Sequence, residues 1–112
     1  MENKELPQDV VYRLLSHVYR QALLGCLDQH DVPLAVADAA EEVARDCKSE
    51  PISEIPEAEV KKIYLALTHS HVPQLVEENV ITYDQEQNLI ALTERGKHLV
   101  TVQKHLDALY FD

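Results

Sequence analysis

A chain of 112 residues has room for one domain with a modest core and none for a second. With 46% hydrophobic residues and only two glycines, the composition is globular and disfavours a loop-rich or many-stranded fold. Ten basic residues against twenty acidic ones give a net charge of −10, the wrong sign for a surface that holds nucleic acid by bulk charge.

Residues 8–29 carry helical periodicity through Val11, Leu14, Leu15, Val18, Leu23, Cys26 and Leu27. Ser16 as an N-cap divides the stretch into helices over 7–15 and 17–29. His30, Asp31, Val32 and Pro33 read as a turn, and residues 32–34 suit a short strand. The next helix is expected over 35–47. Val36, Ala39, Ala40, Val43 and Cys47 form its apolar stripe, with Asp38, Glu41, Glu42, Arg45 and Asp46 facing water. Cys26 and Cys47 lack CxxC spacing and are read as buried structural thiols.

Residues 48–56 form a linker rich in Ser, Glu and Pro. Pro56 then suits the opening of a helix over 57–79, with Glu57 and Glu59 complementing its dipole. Val60, Ile63, Tyr64, Leu67, His71 and Leu75 share one face of that helix. Pro73 lies inside the pattern, which predicts a kink or break at 69–72. Asn79 suits the left-handed residue that ends a helix. Two β-favouring runs, 80–83 and 89–92, flank a polar stretch of hairpin-loop length. A last helix over 95–111 carries a coiled-coil-like seam of Leu99, Val102, Leu106 and Leu109.

The expected class is therefore mainly α with one β-hairpin (α+β). A helix that leads directly into a two-stranded hairpin predicts a winged helix-turn-helix, with recognition helix 57–79, wing 80–92 and an additional C-terminal dimerisation helix. The stretch His71-Val-Pro-Gln-Leu-Val-Glu-Glu-Asn-Val-Ile-Thr-Tyr-Asp84 resembles the recognition-helix end and first wing strand of ArsR-like regulators. Val36-Ala-Asp-Ala-Ala-Glu-Glu-Val-Ala44 and Ile63-Tyr-Leu-Ala-Leu-Thr-His-Ser-His-Val-Pro-Gln-Leu75 make the chain similar to small winged-helix regulators of halophilic archaea, over about residues 10–93. That resemblance implies transcription regulation on double-stranded DNA, and it implies acidity as an adaptation to high salt.

The face opposite the buried stripe places Lys61, Lys62, His69, Ser70 and Gln74 toward a major groove. Gln85, Gln87 and Asn88 are expected at the wing, with Arg95 and Lys97 just beyond it near a phosphate. A homodimer is expected through Val11, Leu14, Leu15, Leu99, Val102, Leu106, Leu109 and Tyr110, which would present two recognition helices to a pseudo-palindromic site. No cofactor or metal is expected. His69 and His71 stand two apart and diverge on a helix, while His17, Cys26, Cys47, His98 and His105 show no ligand spacing. No phosphate loop, nucleophile elbow or HExxH pattern points to an enzyme. The polar N-terminus, residues 1–6, and the lack of a long apolar run lead to an expected cytoplasmic location, away from membranes. An effector ligand is left unnamed. The alternative, motivated by the −10 charge, is a protein-interaction module on a winged-helix scaffold that no longer binds DNA.

Overall fold

A computed structural model describes residues 5–111, and the side chains of Tyr110 and Phe111 lie outside that description. The architecture is mainly helical with a small antiparallel sheet, an α+β arrangement. The elements are α1 (Gln8–Leu14), α2 (Val18–Gln29), β1 (Leu34–Ala35), α3 (Val36–Lys48), α4 (Glu57–Ala66), α5 (Val72–Glu77), β2 (Ile81–Asp84), β3 (Leu89–Leu92) and α6 (Glu94–Phe111). A 3-10 turn, Ile52–Glu54, interrupts the linker between α3 and α4. The three strands lie in the order β1-β3-β2. Register is set by Leu34 opposite Ile90 on one side of β3 and Ile81 opposite Leu92 on the other.

Small residues decide how closely α2 and α3 approach. Ala39, Ala40, Val43 and Ala44 are fully buried on α3, and Leu23, Leu24 and Leu27 of α2 fill the space against them. Ile63, Leu67 and Leu75 close the core from the other side, while Val80, Ile81 and Ile90 contribute the sheet's inner face. The expected α3 stripe is turned slightly. Ala44 takes the place given to Cys47, which is exposed. Glu42, expected in water, is half-buried against α2.

The first two helices divide one residue later than Ser16 predicts. His17 is the N-cap of α2, its ring accepting from the amide of Tyr19 at 3.0 Å. The hydroxyl of Ser16 instead donates to the carbonyl of Arg13. Arg20, only 6% exposed, closes this junction. Its guanidinium donates to the carbonyls of Leu14 and Arg13, satisfying orphan acceptors at the end of α1. Its Nη1 donates to Nδ1 of His71 at 2.9 Å.

His71 belongs to the segment where Pro73 predicted a kink. The chain continues helically there but widens into a π turn, Leu67–His71, so α4 and α5 follow one path. A π turn re-phases the backbone bonds around a residue that has no N–H to give, and so absorbs the proline without a break. Asn79 ends the run with φ 62, as its type predicts.

The root of the hairpin is fixed by Gly96 and Thr93. A Cβ at Gly96 would stand 2.0 Å from the carbonyl oxygen of Val80, so only glycine lets α6 start this close to β2. Thr93 caps α6: its Oγ1 accepts from Gly96 N at 3.0 Å and donates to the carbonyl of Asn79 at 2.6 Å. Within α6, Leu99 is fully buried in the chain's own core. Among the described residues, no helix is long and apolar enough to cross a membrane.

Candidate nucleic-acid interface

The π turn sorts its side chains by face. His71, Val72 and Leu67 point inward, leaving His69 and Ser70 exposed beside Pro73. One turn earlier, Lys61 and Lys62 are exposed on α4 and form no ion pair with any described carboxylate. Gln74, half-buried on α5, donates to Ser70 Oγ at 3.1 Å and so fixes the hydroxyl on the outer face. Lys61, Lys62, His69, Ser70 and Gln74 thus lie on consecutive turns of one helical path that the buried stripe anchors from beneath.

This path is held from two sides. Lys48 at the end of α3 pairs with Glu59 of α4 at 3.2 Å. An apolar cleft of about 550 Å³ separates α3 from α4, with Ile52, Ile55, Val60 and Tyr64 on its walls and Lys61 at its edge. From the hairpin, Asn88 donates to the hydroxyl of Tyr64 at 3.3 Å and accepts from that of Tyr83 at 2.7 Å. Asn88, expected at the wing, thereby braces the hairpin against the helix, with φ 57. In the sequence Tyr64 reads only as part of the apolar stripe and Tyr83 only as part of a β-favouring run, although a tyrosine on a half-buried face usually hydrogen-bonds through its hydroxyl.

Gln85 and Gln87 are exposed in the hairpin loop. The Asp84 carboxylate accepts from the amides of Glu86 and Gln87 at 3.1 and 3.2 Å, so one of the loop's two acids shapes the turn. Arg95 and Lys97 part company. Arg95 is half-buried and donates to the carbonyls of Glu5 and Glu78, on the α5 side of the hairpin root. Lys97 is exposed, pairs with Glu94 at 3.4 Å, and lines the opposite side with Pro33 and Ala91.

Beneath the outer face, His71 is 5% exposed, with its ring 4.4 Å from that of His17 and 5.7 Å from that of Tyr19. Burial, then the neighbouring His17 and Arg20, pull its pKa down to about 4. With Arg20 donating to Nδ1, the neutral ring carries its proton on Nε2.

The residues expected at a dimer seam divide sharply. Leu14, Leu15 and Leu99 are spent inside this chain's core and have no surface to offer a partner. Val11, Val102 and Leu106 are half-buried, and Leu109 is 77% exposed. Tyr110 lies outside the described side chains.

Together these elements define a small α+β domain with an exposed helical path braced by a hairpin. Over residues 12–91 the chain matches the family described as Domain of unknown function (DUF7344), and it belongs to that family. No curated protein and no solved structure matches it.

Proposed function

We propose that the chain is a winged helix-turn-helix regulator that binds double-stranded DNA as a homodimer. Supporting the winged-helix reading is the order helix, short strand, two helices, hairpin, with β1 closing the hairpin sheet on the β3 edge. In this reading α4, the π turn and α5 are the recognition helix. The observation that carries the proposal is the run of exposed Lys61, Lys62, His69 and Ser70 on that helix, with neither lysine in an ion pair with a described carboxylate. The lysines would neutralise phosphates, while His69, Ser70 and Gln74 would meet base edges. Gln85 and Gln87 would touch the flanking backbone with uncharged donors.

Dimerisation would use the outer half of α6, where Leu109 is bare and Val102 and Leu106 are half-covered. A net charge of −10 repels DNA at long range, but the screening length falls to about 3 Å at 1 M salt, where short contacts decide. This suits a protein working at high salt, and two lysines per subunit give a shallow salt dependence. Fluorescence anisotropy against the DNA upstream of its own coding sequence tests the reading. Binding should persist to molar KCl with a log-log slope of about −4 for a dimer, from about −0.9 for each of its lysines. Absence of binding at every salt concentration would overturn it.

A second reading is a protein-interaction module on the same scaffold. It is favoured by the hairpin loop, which carries Glu86 and the glutamines but no basic residue. Failure of DNA binding, with the dimer intact, is the outcome that selects it.

A further inference from the structure

We propose that Cys26, His30 and Glu42 form a binding site for one Zn²⁺ ion, held by the thiolate, the imidazole Nε2 and a carboxylate oxygen. The site stands on residues that the proposed DNA interface does not use.

Cys26 and His30 are four residues apart at the end of α2, where such a spacing stacks two side chains on one face. Across the helix pair, Glu42 of α3 reaches both. Its Oε2 lies 2.7 Å from Cys26 Sγ and 3.0 Å from His30 Nε2, and one ligand atom from each residue falls within 4.8 Å of the others. Tetrahedral zinc with bonds of about 2.0–2.3 Å requires its ligand atoms about 3.3–3.8 Å apart. Rotations that lengthen the two Glu42 contacts by less than about an ångström would bring them to that spacing.

The donor set is one sulfur, one nitrogen and one oxygen, which suits borderline-soft Zn²⁺ and is poor for Mg²⁺ or Ca²⁺. Cys26 is buried and the other two are half-buried, so the charges are only partly screened. A thiolate and a carboxylate balance the ion's two positive charges, and the thiol proton leaves to solvent on binding.

Without the ion, burial and the hydrogen bond to Glu42 push the Cys26 thiol above its ordinary range and hold it protonated. Burial works against ionisation of Glu42, but the bonds from Cys26 and His30 together with the charges of His30 and Arg45 keep its pKa below the usual value. A cation placed between them takes over the thiol proton's role. Arg45, 3.6 Å from Glu42 and half-exposed, is free to swing aside.

The fourth position would face a cleft of about 510 Å³ shared by Gln29, Asp46 and Gln103. The Oε1 of Gln103 is buried there without a donor. An ion-bound water is a donor of the kind that this acceptor lacks. Binding at this place would pin the end of α2 to the middle of α3.

Co²⁺ serves as the spectroscopic probe on the full chain stripped with a chelator. We expect one Co²⁺ per chain with a thiolate-to-metal charge-transfer band, displaced by Zn²⁺, and a rise in Tm with Zn²⁺. Cys47→Ser, on the exposed thiol, should keep all three signals. Cys26→Ser should abolish the band, and Glu42→Gln should weaken the affinity at least about tenfold. Circular dichroism establishes that each variant folds, and Glu42→Gln carries the test should Cys26→Ser not fold. Absence of a band at millimolar Co²⁺, or a band that follows Cys47, would overturn the site. Neither result bears on DNA binding.

Discussion

His69 and His71 stand two residues apart in the same π turn, and they belong to different regions of the molecule. Below the turn, Arg20 ties His71 to the end of α1, donating to the ring's Nδ1 and to the carbonyls of Leu14 and Arg13. Above it, His69, Ser70 and the two lysines face solvent. The difference teaches that polar residues of the same type divide by packing into a buried frame and a solvated face. Frame groups are bonded and buried, so changing them alters stability. Face groups are solvated, so changing them should alter only what they touch.

The largest test of the frame is Gly96→Ala. The added methyl meets the Val80 backbone, which has no flexible end to yield, and the expected loss is more than about 3 kcal/mol in urea unfolding. Next is Arg20→Met. It leaves two carbonyls of α1 and the His71 ring without their donor, and should cost about 3 kcal/mol in the same assay.

His71 adds a pH signature. Its pKa is lower in the folded chain, about 4 against an ordinary 6.5, so the unfolded chain binds the proton more tightly. Stability is therefore full above pH 6.5 and is lost as the pH falls toward 4, by up to about 3 kcal/mol. His71→Gln, whose amide oxygen can still accept from Arg20, should flatten that window in pH-dependent unfolding. An unchanged slope would break the assignment of His71 to the frame.

The smallest stability effect is expected on the face. Lys62→Ala combined with His69→Ala should change unfolding by less than about 0.5 kcal/mol per site. Yet in the proposed function the same pair weakens DNA binding at least about tenfold. A large stability loss would erase the distinction between the two regions.

Local chemistry made parts of this arrangement legible. The runs at 80–83 and 89–92 announced the hairpin, and Asn79 announced the helix end. Pro73 announced an irregularity, but not that it would be a π turn, because a missing N–H can be met equally by a kink, a break or a widened turn. Strand β1 is too short to carry a periodicity and sits two residues later than the 32–34 stretch. The seam of α6 was visible as spacing, whereas its partner was not: Leu99 turns into the chain's own core.

Cys26 is buried as its helical position suggests and Cys47 is not, and the proposed ion site was hidden in the sequence for a similar reason. His30 reads in the sequence as the start of a turn, where a four-residue spacing from Cys26 does not signal a shared helical face. Glu42 becomes their neighbour only once the alanines of α3 bring the two helices together.

The central claim is that the outer helical path and the hairpin loop are where DNA meets the protein. Amide chemical-shift mapping of the labelled chain, titrated with its upstream DNA, tests this most directly. The predicted result is a set of shifts over residues 61–74 and 85–87, with the Arg20 junction unmoved. Shifts confined to the outer half of α6, or none at saturating DNA, would contradict it.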